Sequence, residues 1–278
     1  MVKRRLDVLL VELGLCSSRQ LAQRLIGAGV VTVDDVVVDK SGALVDGEAV
    51  VRVKERSRFV SRGGEKLAKA LDVFGIDVVG RVCLDGGIST GGFTDCLLQA
   101  GAKLVYGVDV GYGQVDWGLR NDPRVVLKER TNLRYLTPDE LYATGGVYAD
   151  LAVVDVSFIS LTKVLSALWQ LLQPPREALL LVKPQFEVGK SRVGKKGVVR
   201  DSNDHADAIF QVLQAASELG WRYKGLTSSP ITGPAGNIEY LLWLGMESET
   251  PAPDLEVIKQ ITQLAATHFL ALHKDAKT

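Results

Sequence analysis

From residue 81 onward, short runs rich in β-branched residues alternate with segments of helical periodicity, and that alternation leaves few folds open. VCLD (82–85), KLVYGVD (103–109), RVVLKE (124–129), DLAVVD (150–155) and ALLLVK (178–183) read as strands, with helices predicted to residue 100 and near Trp117. Strands and helices in alternation make a parallel sheet covered by helices on both faces. A helix at about 204–219 is followed by WRYKGLTSS (221–229) and IEYLLWLG (238–245) with no helix between them, so the sheet is expected to close with an antiparallel pair. The last helix, about 254–272, is amphipathic and is expected to pack on the sheet or on the front of the chain. The expected class is α/β with a mostly parallel seven-stranded sheet.

The front of the chain follows another pattern. Leu6, Leu9, Leu10 and Leu13 recur at helical spacing, Gly14 ends that helix, and Ser17 or Ser18 caps a second one running to about Ala28. VVTVDDVVVD (30–39) and AVVRV (49–53) are predicted strands, with 40–47 a turn between them. The charged, glycine-bearing segment 57–66 reads as a linker. A small α+β domain over 1–56 and a large domain over 67–278, opened by a helix marked by Leu67, Ala70, Leu71 and Phe74, are expected on either side of it.

Composition excludes several classes. Nowhere do about 18 apolar residues run without charge, and the basic start is interrupted by Asp7 and Glu12, so neither a spanning helix nor a secretory signal is read and a cytoplasmic location is expected. Three cysteines and three histidines, all scattered, give no metal-ligand spacing, so no metal site is expected. With a formal net charge of zero, polyanion binding must come from local clusters: Lys3, Arg4 and Arg5, the segment 52–66, and the loop 190–200. On charge alone each is either a solvated face or a nucleic-acid contact.

DGGISTGGFTD (85–95) directly follows a strand and opens a helix, where bare backbone and a helix N-terminus can meet a ligand. Alone it is also what any tight strand-to-helix turn looks like. Asp109, at the end of the next strand, adds an acceptor for both ribose hydroxyls of a nucleoside-bearing cofactor. A nicotinamide dinucleotide would use the same acid, but its G-x-G-x-x-G fingerprint is missing here, which favours an adenosyl cofactor. Lys66, Asp155, Lys183 and Glu239 stand at strand ends or their loops, where side chains reach the ligand crevice; each singly is explained equally well by solvation, the set of four less easily.

The runs RLDVLLVELGLCSSRQLAQRLI (5–26), SRGGEKL (61–67), DGGISTGGFTD, DVSFIS (155–160), LVKPQFE (181–187) and GNIEYL (236–241) resemble the TlyA family of hemolysin-like ribosomal RNA 2′-O-methyltransferases, and more distantly the FtsJ-type RNA ribose methyltransferases. The likeness covers nearly the whole chain, and the first module resembles the αL RNA-binding motif of pseudouridine synthases, tyrosyl-tRNA synthetase and a small-subunit ribosomal protein. It implies a Rossmann-like methyltransferase domain, S-adenosylmethionine as cofactor, and ribosomal RNA or ribosomal subunits as partner, with cytidine as the target. It also implies that Lys66, Asp155, Lys183 and Glu239 are the catalytic set, and that Asp85, Gly87, Ser89, Thr90, Gly91, Gly92, Phe93, Asp109 and Asn132 hold the cofactor. Ile88 departs from the pattern, since the resembling sequences carry a small residue such as Ala beside the glycine.

A ribose hydroxyl is a weak nucleophile, so such a site must orient it and accept its proton. Lys183 is the expected proton acceptor, with Lys66 as the neighbouring cation that makes a neutral amine accessible and the two acids as orienters. RNA capture is expected at Arg4, Arg5, Arg19 and Arg24 in the front module, at Arg62 in the linker, and at Lys190, Arg192, Lys195 and Lys196 beside the catalytic strand end. Two rival readings remain open on sequence: a membrane-perforating hemolysin and a non-catalytic RNA-binding assembly factor.

Overall fold

The structure is a computed structural model that describes residues 3–54, 57–143 and 145–275, the last four of these by backbone alone. It divides into two compact units, Met1–Arg58 and Phe59–Thr278.

In the first unit, α1 (Leu6–Glu12) and α2 (Arg19–Gly27) pack Leu6, Leu9, Leu10, Ala22 and Ile26 against Val31 and Val51. The Ser18 hydroxyl accepts from the Leu21 amide at 3.3 Å and so starts α2. Two sheets complete the unit: β1 (Lys3–Arg5) pairs antiparallel with β4 (Leu44–Asp46), while β2 (Val31–Val33) pairs with both β3 (Val36–Val37) and β5 (Val51–Val53). Asp34 and Asp35 both take positive φ, 48° and 64°, the backbone of a tight hairpin turn. The β1–β4 ladder corrects the sequence reading of 40–47 as a turn. A Lys-Arg-Arg strand shows no apolar alternation, because backbone pairing at an exposed edge asks nothing of its side chains.

Asp7 organises the basic residues of this unit. Its carboxylate is fully buried and accepts from Arg5 Nε at 3.0 Å, Arg19 Nη2 at 3.0 Å and Gln23 Nε2 at 2.9 Å. Arg4 pairs instead with Glu12, and Arg24 is exposed.

The second unit is a sheet of seven strands in the order β11-β12-β10-β9-β6-β7-β8. The strands β6 (Val82–Gly86), β7 (Leu104–Val108), β8 (Val125–Lys128), β9 (Leu151–Val154) and β10 (Glu177–Val182) run parallel, and β11 (Arg222–Ser228) and β12 (Tyr240–Gly245) close the sheet as an antiparallel pair. Alternate residues face opposite sides. Leu84, Ala152, Val154, Leu180 and Val182 point to a core with α7 (Leu165–Leu171) and α9 (Ser202–Glu218), whereas Cys83, Leu151, Val153, Leu179 and Leu181 point to one with α3 (Gly63–Phe74) and α4 (Gly92–Gln99). From β6 the chain steps outward to β7 and β8, then returns to β9 on the other flank. That reversal opens a crevice at the carboxyl ends of β6 and β9. The last helix, α10 (Leu255–Asp275), lies along α9, where Thr262 donates to the Ser202 carbonyl at 2.8 Å. The predicted linker is partly helical: α3 already begins at Gly63, so Lys66 sits in a helix rather than in a connector.

The Arg5 hydrogen bonds hold the Asp7 carboxyl well below the usual carboxylate range, against the opposing effect of burial. A depressed folded-state value contributes stability that is present above about pH 4 and lost on acidification below it. Asp7→Asn is therefore expected to weaken hydrogen-exchange protection of the α1 and α2 amides at pH 7, on the order of 1–3 kcal/mol, with a deficit that shrinks as the pH falls below about 4. A deficit independent of pH would contradict this assignment.

Candidate active site

Gly86 ends β6, and the loop that follows turns sharply into α4. Gly87 has φ 89°, and a Cβ there would stand 2.7 Å from the Asp155 carbonyl oxygen, so the loop can lie against the end of β9 only without a side chain. Ile88, the departure noted in the sequence, is 3% exposed and packs with Val105 and Val115 on the α4 side of the sheet. Its bulk is taken up largely by the core while it still borders the crevice.

Asp85, one strand position before the loop, is completely buried. Its Oδ2 accepts from Thr94 Oγ1 at 2.6 Å, and its Oδ1 has no hydrogen-bond partner. Burial first, with Asp155 and Asp109 adding like charge, pushes its carboxyl up to about 7.

Two adjoining clefts open over the strand ends. The larger, about 440 Å³, is lined by Lys66, Thr90, Gly92, Phe93 and Asp155 together with the wall Arg62, Ile231 and Thr232. The other, about 330 Å³, is lined by Asp109, Asn132, Ser157 and Phe158 among others, and both clefts share Gly87, Ser89 and Asp155. The Asp109 carboxylate is fixed by the Ser89 amide at 2.8 Å and the Gly111 amide at 2.7 Å, one on each oxygen. Each oxygen keeps a further lone pair for a ligand. Asn132 faces the same cleft but spends its carbonyl oxygen on the Arg134 amide at 3.0 Å, leaving its amide nitrogen to read a ligand edge. Of the residues expected to hold a cofactor, Gly91 and Asp85 lie outside both linings.

The four ionisable residues come together as two ion pairs, the first buried and the second half-buried at its carboxylate. Lys66 Nζ meets Glu239 Oε2 at 2.6 Å, with side chains 10% and 2% exposed, and Lys183 Nζ meets Asp155 Oδ1 at 2.6 Å, 10% and 23% exposed. The second contact has ion-pair distance without hydrogen-bond angles; the hydrogen bond from Lys183 goes to Ser157 Oγ at 2.8 Å. Each lysine thus faces its own carboxylate, Lys66 with Glu239 and Lys183 with Asp155. Buried ion pairs contribute little to stability, because desolvation consumes most of the Coulomb gain. One member of each pair, Lys66 and Asp155, lines the larger cleft.

Sequence reasoning missed three residues that shape this arrangement. Ser157 is the first. Gly233 is the second: a Cβ there would meet Glu239 Oε1 at 2.5 Å, so only glycine leaves the carboxylate its place. The third is Glu187, buried and raised by that burial, which accepts from Ser160 Oγ at 2.6 Å and the Leu161 amide at 2.9 Å. Serine, glycine and glutamate are common in loops, and only the quoted runs DVSFIS and LVKPQFE flagged two of them.

The expected RNA-contact residues divide. Lys190, Lys195 and Lys196 are exposed, whereas Arg192 is paired with Asp204 at 3.2 Å and Asp207 at 2.6 Å on α9. Arg62 donates to the Thr232 carbonyl at 3.0 Å and belongs to the wall of the larger cleft. The far end of the basic loop is tied to the start of β12: Asn237 accepts from the Val199 amide at 3.0 Å and donates to the Gly197 carbonyl at 2.8 Å. His205 donates from Nε2 to the Val199 carbonyl, which leaves Nδ1 to accept from the Tyr240 hydroxyl, both at 2.9 Å.

Comparison with known proteins matches residues 59–246 to the FtsJ-like methyltransferase family and residues 4–51 to the S4 domain. The 16S/23S rRNA (cytidine-2′-O)-methyltransferase TlyA of Mycobacterium tuberculosis is 51% identical over 247 residues, covering 88% of this chain and 91% of its own. Hemolysin A of Brachyspira hyodysenteriae is 40% identical over 85% of this chain and 98% of its own. A solved structure of a provisionally named hemolysin from Streptococcus thermophilus superposes with a TM-score of 0.73 at 42% identity, covering 99% of each chain. Among the described residues no helix is long and apolar enough to cross a membrane.

Asp85 yields a test of the site's electrostatics. A raised carboxyl in the folded state contributes stability that is full below about pH 4 and is lost as the pH rises through about 7. Without ligand, Asp85→Asn is expected to gain melting temperature relative to the parent protein between pH 5 and pH 8, by a few degrees. A difference in melting temperature that stays constant over that range would rule out a buried, raised carboxyl.

Proposed function

Because the chain belongs to the FtsJ-like methyltransferase family, we propose that it transfers the methyl group of S-adenosylmethionine to a ribose 2′-hydroxyl of cytidine in ribosomal RNA, held in part by its S4 domain. The observation that carries this reading is the double pair Lys66–Glu239 and Lys183–Asp155 at the mouth of the glycine-loop crevice.

The residues fit the cofactor. Asp85 keeps a buried, unpartnered oxygen beneath the glycine loop, and Asp109 stands in the second cleft with lone pairs that suit two adjacent ribose hydroxyls. Asn132 is left for the adenine edge, and Gly87, Ser89, Thr90 and Gly92 line the clefts between these ends. When bound, S-adenosylmethionine supplies a methyl group already activated by its sulfonium. The chain's own task is then to fix the ribose hydroxyl and remove its proton. Asp155 lines both clefts and pairs with Lys183 behind them, and in this reading the Lys183 amine takes that proton. Glu239 holds Lys66 in the wall of the larger cleft, where its ammonium orients the incoming ribose. Fixed groups of this kind lower a barrier because they need no reorganisation as charge develops.

For RNA capture in the first unit, Arg5 and Arg19 form a preset pair of guanidiniums around Asp7, and Arg24 adds an exposed one. In the second unit, Lys190, Lys195 and Lys196 are exposed cations in the loop that follows Lys183, a loop anchored through Asn237. Guanidinium and ammonium groups on rigid supports suit phosphate contacts. A protein working on ribosomal RNA belongs in the cytoplasm, where that RNA is.

Lys183 separates chemistry from binding. Lys183→Ala is expected to leave cofactor affinity near that of the parent protein and to lower turnover at saturating RNA by about 10²–10⁴-fold. Lys183→Arg is expected not to restore it, since a guanidinium stays protonated. An arginine variant that keeps most of the turnover would overturn the proton-accepting role and leave Lys183 as a source of charge.

A further inference from the structure

Lys183 is not among the residues that line either cleft; its polar partners among the described residues, Asp155 and Ser157, line the second. The position of its Nζ is set by Asp155 through an ion pair at 2.6 Å, but that contact lacks the angles of a hydrogen bond and leaves rotation about the terminal carbon–nitrogen bond undetermined. Direction comes from Ser157, whose Oγ takes the Nζ hydrogen bond at 2.8 Å. With one of three tetrahedral positions on the nitrogen fixed by Ser157, the other two are fixed with it.

An exposed loop serine would ordinarily be free to turn away. This one is not, because its loop is pinned on both sides. The Asp155 amide donates to the Gly86 carbonyl at 2.9 Å, and at the other end Ser160 and Leu161 both donate to the buried carboxylate of Glu187. Glu187 closes α8 (Pro184–Glu187), the short helix that starts directly after Lys183. The loops after β9 and β10 are thereby cross-braced twice, once by Ser157 on Lys183 and once by Ser160 and Leu161 on Glu187. Between the braces Phe158 takes φ 64°, an uncommon conformation for an aromatic residue.

We propose that Ser157 is a positioning residue for methyl transfer: its hydroxyl oxygen sets the rotation of the Lys183 amino group over Asp155, and Glu187 braces the loop that carries it. The inference rests on the methyltransferase reading given above. Ser157 is separated from a merely structural loop residue by which kinetic constant responds to its loss. Its hydrogen bond aligns the lysine with the reacting hydroxyl, and neither cofactor nor RNA needs that alignment to bind.

The test compares Ser157→Ala and Ser157→Thr with the parent protein in methyl transfer to ribosomal subunits, with cofactor affinity measured by calorimetry and folding by thermal melting. Ser157→Ala is expected to lose about 10-fold in kcat, the value of one hydrogen bond to a charged group, with KM for the subunits and cofactor Kd within about 2-fold of the parent. Ser157→Thr keeps the hydroxyl on an exposed position and is expected to recover most of kcat. The proposal is overturned if Ser157→Ala turns over like the parent, if its loss falls on KM or cofactor affinity instead of kcat, or if threonine restores nothing while folding normally. A parent protein that methylates no RNA would overturn the proposed function itself, an outcome distinct from an active parent that is indifferent to Ser157.

Discussion

Two lysine–carboxylate pairs, each lysine largely shut off from water, set the terms for the rest of the catalytic unit. Ionised groups with so little water need a partner at contact distance, and no single segment of chain supplies both members of a pair. Lys66 comes from α3, Asp155 from the end of β9, Lys183 from the end of β10 and Glu239 from the start of β12. Only the strand order that sets β9, β10 and β12 side by side, with α3 packed over that face, brings the four to one crevice. The antiparallel β12 matters here, because it is the start of that strand, not its end, that lies beside the carboxyl ends of its parallel neighbours.

Small residues around the crevice act on these pairs by leaving space. Gly233 gives up a side chain so that Glu239 can reach Lys66, and Gly87 does so to let the loop pass the Asp155 carbonyl. Asp85 carries the opposite kind of cost: a completely buried carboxyl with one unmatched oxygen is unfavourable, and Thr94 offsets only part of it.

Much of this was legible in the sequence, for identifiable reasons. Strands such as ALLLVK and DLAVVD are apolar on both faces because helices cover both sides of the sheet, and that pattern survives without any structure. Asp109 and the set Lys66, Asp155, Lys183 and Glu239 stood out because polar residues at strand ends lie where ligands bind. The pairing within the set was not legible, since which lysine meets which acid depends on strand order. Nor was the quenching of Arg192 by Asp204 and Asp207, two acids on a helix that begins ten residues further on. The β1–β4 ladder was invisible because exposed strands held by backbone bonds leave no hydrophobic period. Ser157 and Gly233 act through one atom, or the lack of one, and a single serine or glycine in a loop carries no pattern at all.

The central claim is that these paired side chains serve methyl transfer to a ribose in ribosomal RNA, and the most direct test follows the methyl group. Purified protein, ribosomal subunits from cells lacking it, and S-adenosylmethionine labelled in its methyl group are incubated together, and the recovered RNA is digested to nucleosides and separated. Label is expected in 2′-O-methylcytidine, and far less of it when Lys183 is replaced by alanine. Label in a base-methylated nucleoside, or none in RNA from a protein that binds the cofactor, would contradict it.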